Sequence, residues 1–203
     1  VRPVFLYGPD AYSSAGPRLM GRQVAGEGFL AGYVRATAGM LECHAASREH
    51  ADAFAHDVAR FGGGERATRW IPFGDIEALR ESVLVFPGPV LAPLAWRRAQ
   101  AGAGAYSITG VTHTIASMVA MDGIADLLTA PLEPWDALVC TSSAALDAVN
   151  RLLAGFESHL RQRFGARDIP QPQRALIPLG ADCAALAPSA AFRARRRQDL
   201  GIA

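Results

Sequence analysis

Asp136-Ala137-Leu138-Val139-Cys140-Thr141-Ser142-Ser143 is the stretch from which the fold is read. Its centre, Ala137 to Cys140, is apolar without a polar alternate, the pattern of a strand covered on both faces. Ser142 or Ser143 then offers a hydroxyl to cap a helix. The residues that follow put Val149, Leu152, Leu153, Phe156 and Leu160 on one helical face, by their spacing of three and four. A doubly covered strand running straight into an amphipathic helix is the repeating unit of a parallel sheet with crossover helices.

The same alternation extends in both directions. Towards the amino end, Val4-Phe5-Leu6-Tyr7 is a first strand closed by Gly8-Pro9. Pro17 to about Ala38 is helical in pattern, with Gly16-Pro17 as its start signal. Four glycines inside it, at positions 21, 26, 28 and 32, weaken the helix and suggest close packing on another backbone. Strands are expected over Leu41–Ala45, Thr68–Phe73, Ser82–Phe86 and Tyr106–Thr112, and helices over Glu49–Phe61, Leu91–Ala101 and Ile115–Leu128. Gly62-Gly63-Gly64 stops the second helix. A last short strand falls at Ala175–Pro178. The sum is an α/β domain of about six or seven parallel strands with helices on both faces, a Rossmann-like sheet.

Composition narrows the function classes. The chain has 203 residues, half of them hydrophobic, and a net charge of +1. That balance gives no global field towards nucleic acid or anionic lipid. All 20 basic residues are arginine, so neither a Schiff-base lysine nor a phosphate-loop lysine exists. Cys43, Cys140 and Cys183 form no C-x-x-C, and with five scattered histidines they give no zinc pattern. They read as small buried hydrophobes in a reducing compartment. No signal peptide opens the chain, and no apolar run approaches the ~18 residues of a membrane span. A cytoplasmic protein is expected, with room for weak peripheral membrane contact.

Several motifs are missing. There is no G-x-G-x-x-G after the first strand, no G-x-x-x-x-G-K-[ST], no G-x-S-x-G and no D-x-D pair. Dinucleotide oxidoreductases, P-loop enzymes and nucleophile-elbow hydrolases lose their signatures with them. The chemistry is therefore expected in loops at the carboxyl ends of the strands.

Three such segments stand out. Asp10, Tyr12, Gly16, Pro17 and Arg18 lie in a small-residue loop leading to a helix start, where backbone N–H groups favour a phosphate; Arg22 adds charge one turn on. Gly110-Val111-Thr112-His113-Thr114 sets a histidine just past a central strand, where it can donate into a crevice or serve as a satisfied core or capping residue. Cys140-Thr141-Ser142-Ser143 presents hydroxyls that can face a ligand or cap the helix. His44, His50, His56 and His159 belong to no constellation and read as structural or exposed.

Taken in order, these segments resemble glycosyltransferase family 4, the group 1 transferases. The resemblance is carried by Gly16-Pro17-Arg18 before a long helix, by Gly110-Val111-Thr112-His113, by Val139-Cys140-Thr141-Ser142 and by Ile177-Pro178-Leu179-Gly180-Ala181-Asp182. The last resembles the family's interdomain Pro-x-Gly-x-Asp turn. Arg193 to Ile202 resembles the arginine-rich helix before the second domain.

The resemblance implies the N-terminal half of a GT-B fold. Residues 1–190 would form the acceptor-side domain and 191–203 the start of the interdomain segment, with the donor-binding domain elsewhere. It implies retaining, metal-independent transfer of a sugar from a nucleotide sugar to a sugar or lipid-linked acceptor, with no cofactor and no nucleic acid as partner. On that basis His113 orients the donor sugar and stabilises developing charge without acting as general base. Gly16, Pro17, Arg18 and Ser142 would contact the donor, and Asp10, Tyr12 and Arg22 the acceptor.

The sequence departs from the family in Ala15-Gly16-Pro17, which replaces a double glycine, and in Leu179, which stands where asparagine is common. The family's glutamate pair is absent. A domain of this kind alone is expected to be inactive. Two alternatives remain at this stage. One is a sugar-nucleotide epimerase of the same architecture, with Asp10 and Asp182 as candidate carboxylates. The other is a non-catalytic α/β binding domain.

Overall fold

The computed structural model describes residues 1–13, 21–180, 183 and 187–202. Among them, seven strands form one sheet in the order β3-β2-β1-β4-β5-β6-β7. The strands are β1 (Arg2–Leu6), β2 (Leu41–Ala45), β3 (Thr68–Pro72), β4 (Ser82–Phe86), β5 (Ser107–Val111), β6 (Ala137–Cys140) and β7 (Gln173–Leu176). Every pairing is parallel. The helices are α1 (Pro9–Tyr12), α2 (Gly21–Ala36), α3 (Arg48–Val58), α4 (Ala92–Ala99), α5 (Met118–Ala125), α6 (Ser143–Phe164) and α7 (Ala190–Asp199). The expected α/β, Rossmann-like sheet with helices on both faces is what the chain forms.

Alternate residues of the central strand feed two cores. Phe5 and Tyr7 join Leu30 and Val34 of α2, and Phe54 and Val58 of α3, on one face. Val4 joins Leu84, Ile108 and Leu138 with Ala95 of α4, Ile124 of α5, and Val149 and Leu153 of α6 on the other. The absence of a polar alternate in Ala137–Cys140 follows directly, since both sides of β6 are covered at its carboxyl end. Ser142 is the N-cap of α6: its Oγ accepts from the Ala145 N–H at 3.1 Å.

The strand order reverses at β1. The chain steps from β1 outward to β2 and β3, then returns to β4 on the other side of β1. The loops after β1 and β4 consequently diverge and leave a crevice at the carboxyl ends, the place where open α/β sheets hold ligands.

A buried ion pair ties the amino ends of the opposite half of the sheet. Arg98, in the last turn of α4, is 0% exposed. It donates to Asp136 Oδ1 at 2.6 Å and Oδ2 at 2.8 Å, and to the carbonyls of Tyr106 at 3.0 Å and Pro131 at 2.9 Å. Asp136 in turn accepts from the backbone N–H groups of Ile108 and Glu133, each at 2.8 Å. Four segments (α4, the start of β5, the 131–133 loop and the lead into β6) are thus fixed by two side chains that composition and periodicity did not single out.

Close approach of backbones accounts for one of the four glycines of the first long helix. A Cβ on Gly26 would lie 2.0 Å from the carbonyl oxygen of Ala11, so α1 rests directly on α2 there. Gly21, Gly28 and Gly32 meet no atom within 4 Å, which corrects the expectation that all four mark tight packing.

Other departures are local. Ser117 Oγ accepts from the Ala120 N–H, so α5 begins at Met118 rather than Ile115. Cys43 and Cys140 are buried as expected, whereas Cys183 is exposed. Every residue of α7 is exposed. His44 is fully buried on β2: its Nδ1 donates to the Ile71 carbonyl at 3.1 Å, while Nε2 has no partner. Burial, with help from the Arg97 guanidinium, lowers its pKa from 6.5 to about 4.

Two stability predictions follow from these contacts. Asp136→Ala leaves a buried guanidinium unpaired and is expected to cost about 3–5 kcal/mol in urea unfolding; a loss below about 1 kcal/mol would show that the pair does not hold the fold. For His44, the unfolded chain takes up a proton near pH 6.5 and the folded chain only near pH 4. The neutral imidazole is therefore tolerated above pH 6.5, and stability falls by roughly 3 kcal/mol as pH drops through this window. His44→Asn should flatten that slope, and an unchanged slope in the variant would contradict the assignment.

Candidate functional site

The crevice at the strand reversal is built from β4, β5 and the first turns of α2. Phe86 and Pro87 leave β4, Val111 ends β5, Ala25 and Phe29 come from α2, and Arg22 and His113 bring the polar groups. Among the described residues no Asp or Glu lines it. Its character is apolar walls with a cationic rim.

The position of His113 is set by strand-end chemistry. The Thr112 N–H donates to the Val139 carbonyl at 2.8 Å, extending the pairing of β5 and β6 by one residue. The Thr141 N–H donates to Thr112 Oγ1 at 3.1 Å, and Thr141 Oγ1 donates to the Thr112 carbonyl at 3.0 Å. The Thr112 side chain is therefore consumed in lacing the two strand ends, and His113 is the next residue free to turn outward. It makes no side-chain hydrogen bond among the described residues, and it is half-buried.

The turn after β4 packs over β5 because residue 110 is glycine. A Cβ there would lie 2.5 Å from Leu91 Cδ2 and 2.6 Å from the Gly88 carbonyl oxygen. That carbonyl instead accepts the Val111 N–H at 3.1 Å. At Gly88 the close neighbour is Phe86: a Cβ would lie 2.9 Å from its Cε1, and at ordinary contact distance, 3.6 Å, from His113 Nε2.

A second recess opens on the other side of His113. It is lined by Thr114, Ile115, Thr141, Ser142 and Ala145 at the amino end of α6. Ser142 Oγ already accepts the cap hydrogen bond, so its hydroxyl proton is what remains for a ligand.

The imidazole of His113 is held below its ordinary pKa, first by burial and then by the Arg22 guanidinium. Arg22 forms no ion pair among the described residues. The cation and the imidazole it keeps neutral thus share one crevice, and an anion bound between them would offset the guanidinium's effect on the ring.

The sequence-derived candidates separate into three groups. Arg22, His113 and Ser142 border adjoining recesses at the carboxyl ends of the strands. Asp10 is exposed on α1 and Tyr12 is fully buried, its ring 5.2 Å from that of Tyr7 in a stacked pair; neither lines the crevice. The acceptor contact expected of Tyr12 gives way to a packing role, because α1 turns its phenol inward against β1. Gly16, Pro17, Arg18 and Asp182 lie outside the described residues. Phe29 was not singled out from the sequence as a site residue, since an aromatic on a helix has no local signature of a site.

No three His, Cys, Asp or Glu side chains gather as a metal would require among the described residues. No described helix is long and apolar enough to cross a membrane. Compared with known proteins, the chain matches no family model, no curated protein and no solved structure.

Removing the Arg22 charge should raise the His113 pKa towards 6.5 while leaving the burial contribution in place. The imidazole Cε1–H signal, followed by NMR against pH in Arg22→Gln, reads this directly. An unmoved titration midpoint would mean that Arg22 does not face His113 in solution.

Proposed function

We propose that this domain is the acceptor-side half of a retaining GT-B glycosyltransferase of the family 4 type, which transfers a sugar from a nucleotide sugar without a metal. The observation that carries the reading is the convergence of Arg22 and His113 on one apolar crevice at the strand reversal. A bound nucleoside diphosphate and its sugar present several negative oxygens and a ring of hydroxyls. A cationic rim over apolar walls suits both.

In this reading His113 lies against the donor sugar. The lowered pKa leaves the imidazole neutral at pH 7, so its unprotonated nitrogen can accept a hydrogen bond from a sugar hydroxyl. That bond strengthens as positive charge develops on the ring in the transition state. The recess at Ser142, at the positive end of the 22-residue helix α6, suits the departing diphosphate. Arg22 stands on the α2 side and addresses the acceptor.

The epimerase alternative needs carboxylates in the crevice. Asp10 does not line it, and no other acidic residue does among the described residues; Asp182 lies outside them.

The test is nucleotide release by the complete gene product, assayed with UDP- and GDP-sugars beside a His113→Ala variant. Release from one donor, reduced about 100-fold in the variant, is expected for a lost transition-state hydrogen bond. Release at an equal rate in both proteins, or none from any donor by folded protein with acceptor lipids and sugars supplied, would overturn the proposal.

A further inference from the structure

We infer that the outer face of α5, with the neighbouring flank of α6, is a contact surface for a second copy of this chain, paired across a two-fold axis. The inference is independent of the proposed function.

α5 is a surface helix without a polar side. Its eight residues, Met118-Val119-Ala120-Met121-Asp122-Gly123-Ile124-Ala125, carry one charge. Ala120, Gly123 and Ile124 are spent on the core. On a helix that faces water alone the remainder is polar. Here Met118 is 76% exposed, Val119 72% and Met121 44%. Three large apolar side chains on one short helix form a patch, whereas scattered singly they would be ordinary.

Neighbouring contacts fix which way these side chains stand. A Cβ on Gly123 would lie 2.7 Å from Val90 Cγ2, just ahead of α4, so that flank of α5 faces α4. Val119, one turn earlier, shares it. Met121 is about 200° round the helix from Val119 and stands on the opposite flank, towards α6. On α6, Ala144 shares a recess with Thr114 and Ile115 of the segment leading into α5, so its flank faces α5. Ala148 and Arg151 follow on that flank at intervals of four and three, and all three are exposed. The face is therefore a ridge of methionines on α5 beside an alanine-floored furrow on α6.

Shape and charge select the occupant. A two-fold axis along the α5–α6 boundary lays α5 of each copy over α6 of the other, so the ridge of one enters the furrow of its partner, twice. Methionine suits such a seat, being long, unbranched and polarisable. The same operation brings Asp122, on the crest of α5, towards Arg151 of the partner, and the reverse. Neither side chain has an ion-pair partner in its own chain among the described residues. An anionic lipid surface fits this face worse, because Asp122 and Asp147 outnumber Arg151 on it.

Two helix widths of ~10 Å over a length of ~20 Å give each copy about 400 Å² of face, half of a standard interface. Association is accordingly reversible, with a Kd of about 10–100 µM.

Sedimentation equilibrium of the chain between ~5 and ~500 µM tests this, and the average mass should climb from monomer towards dimer across that range. Met118→Glu sets a carboxylate into the partner's furrow and should raise the Kd at least about tenfold. Its melting temperature should hold, since the position is exposed and an acid suits the first turn of a helix. Met40→Glu, at an exposed methionine ahead of β2, should leave the Kd unchanged. Asp122→Arg and Arg151→Asp should each weaken self-association, and an equimolar mixture of the two variants should restore it. A monomer throughout the concentration range would overturn the inference. So would a dimer that Met118→Glu leaves intact, or a mixture of the charge variants that stays monomeric. Binding of a monomeric protein to phosphatidylserine vesicles, lost in Met118→Glu, would overturn it in favour of a lipid surface.

Discussion

The guanidinium of Arg98, sealed from water against the Asp136 carboxylate, is the constraint from which the rest of the site inherits its geometry. A charge pair in a dry interior is tolerated only when its remaining hydrogen-bonding capacity is used. Here two further carbonyls and two backbone N–H groups complete it, leaving Arg98 Nε as the one unpaired atom of the pair. Because those groups belong to the beginnings of β5 and β6 and to the turn between, the register of both strands is set at their amino ends. The Gln173 N–H donates to the Asp136 carbonyl at 2.8 Å and brings β7 into the same frame.

What is fixed at one end of a strand is delivered at the other. Four residues separate Ile108 from His113, three of them in β5, and the Thr112–Thr141 lacing removes freedom that strand ends ordinarily keep. The half-buried imidazole is thus held by a rigid edge and not by a mobile loop. The rim opposite depends on a glycine: Gly110 admits the turn at Gly88–Leu91. Charge completes the arrangement. The Arg22 guanidinium disfavours the charged form of His113 across a crevice that no carboxylate lines among the described residues.

Much of this architecture was legible in the sequence. Ala137–Cys140, with no polar alternate, announced a doubly covered strand, and Ser142 announced the cap of α6. The strands shifted by a residue or two because pairing, not propensity, sets their ends. The site was legible in one half. His113 and Arg22 were found because a polar residue after an apolar run, or in a first helical turn, is visible locally. Phe29 was not, because it becomes a crevice wall only when strand order brings α2 against the ends of β4 and β5. Tyr12 misled for the related reason that a loop position does not say which way a ring turns. Arg98 is the instructive case. Leu91, Ala95 and Arg98 follow a spacing of four and three, so the buried face of α4 carried the signal, but an arginine there reads as an end to the apolar stripe unless its partner is known. That partner is 38 residues away.

The central claim is that the crevice between Arg22 and His113 receives the ligand. Hydrogen–deuterium exchange of the complete gene product, with and without a saturating nucleotide sugar, addresses it most directly. The account predicts slowed exchange in peptides covering 21–29, 86–91 and 111–116, with the amino ends of the same strands unaffected. Protection confined to the amino-terminal edge of the sheet, or no change around His113 when the nucleotide is demonstrably bound, would contradict it.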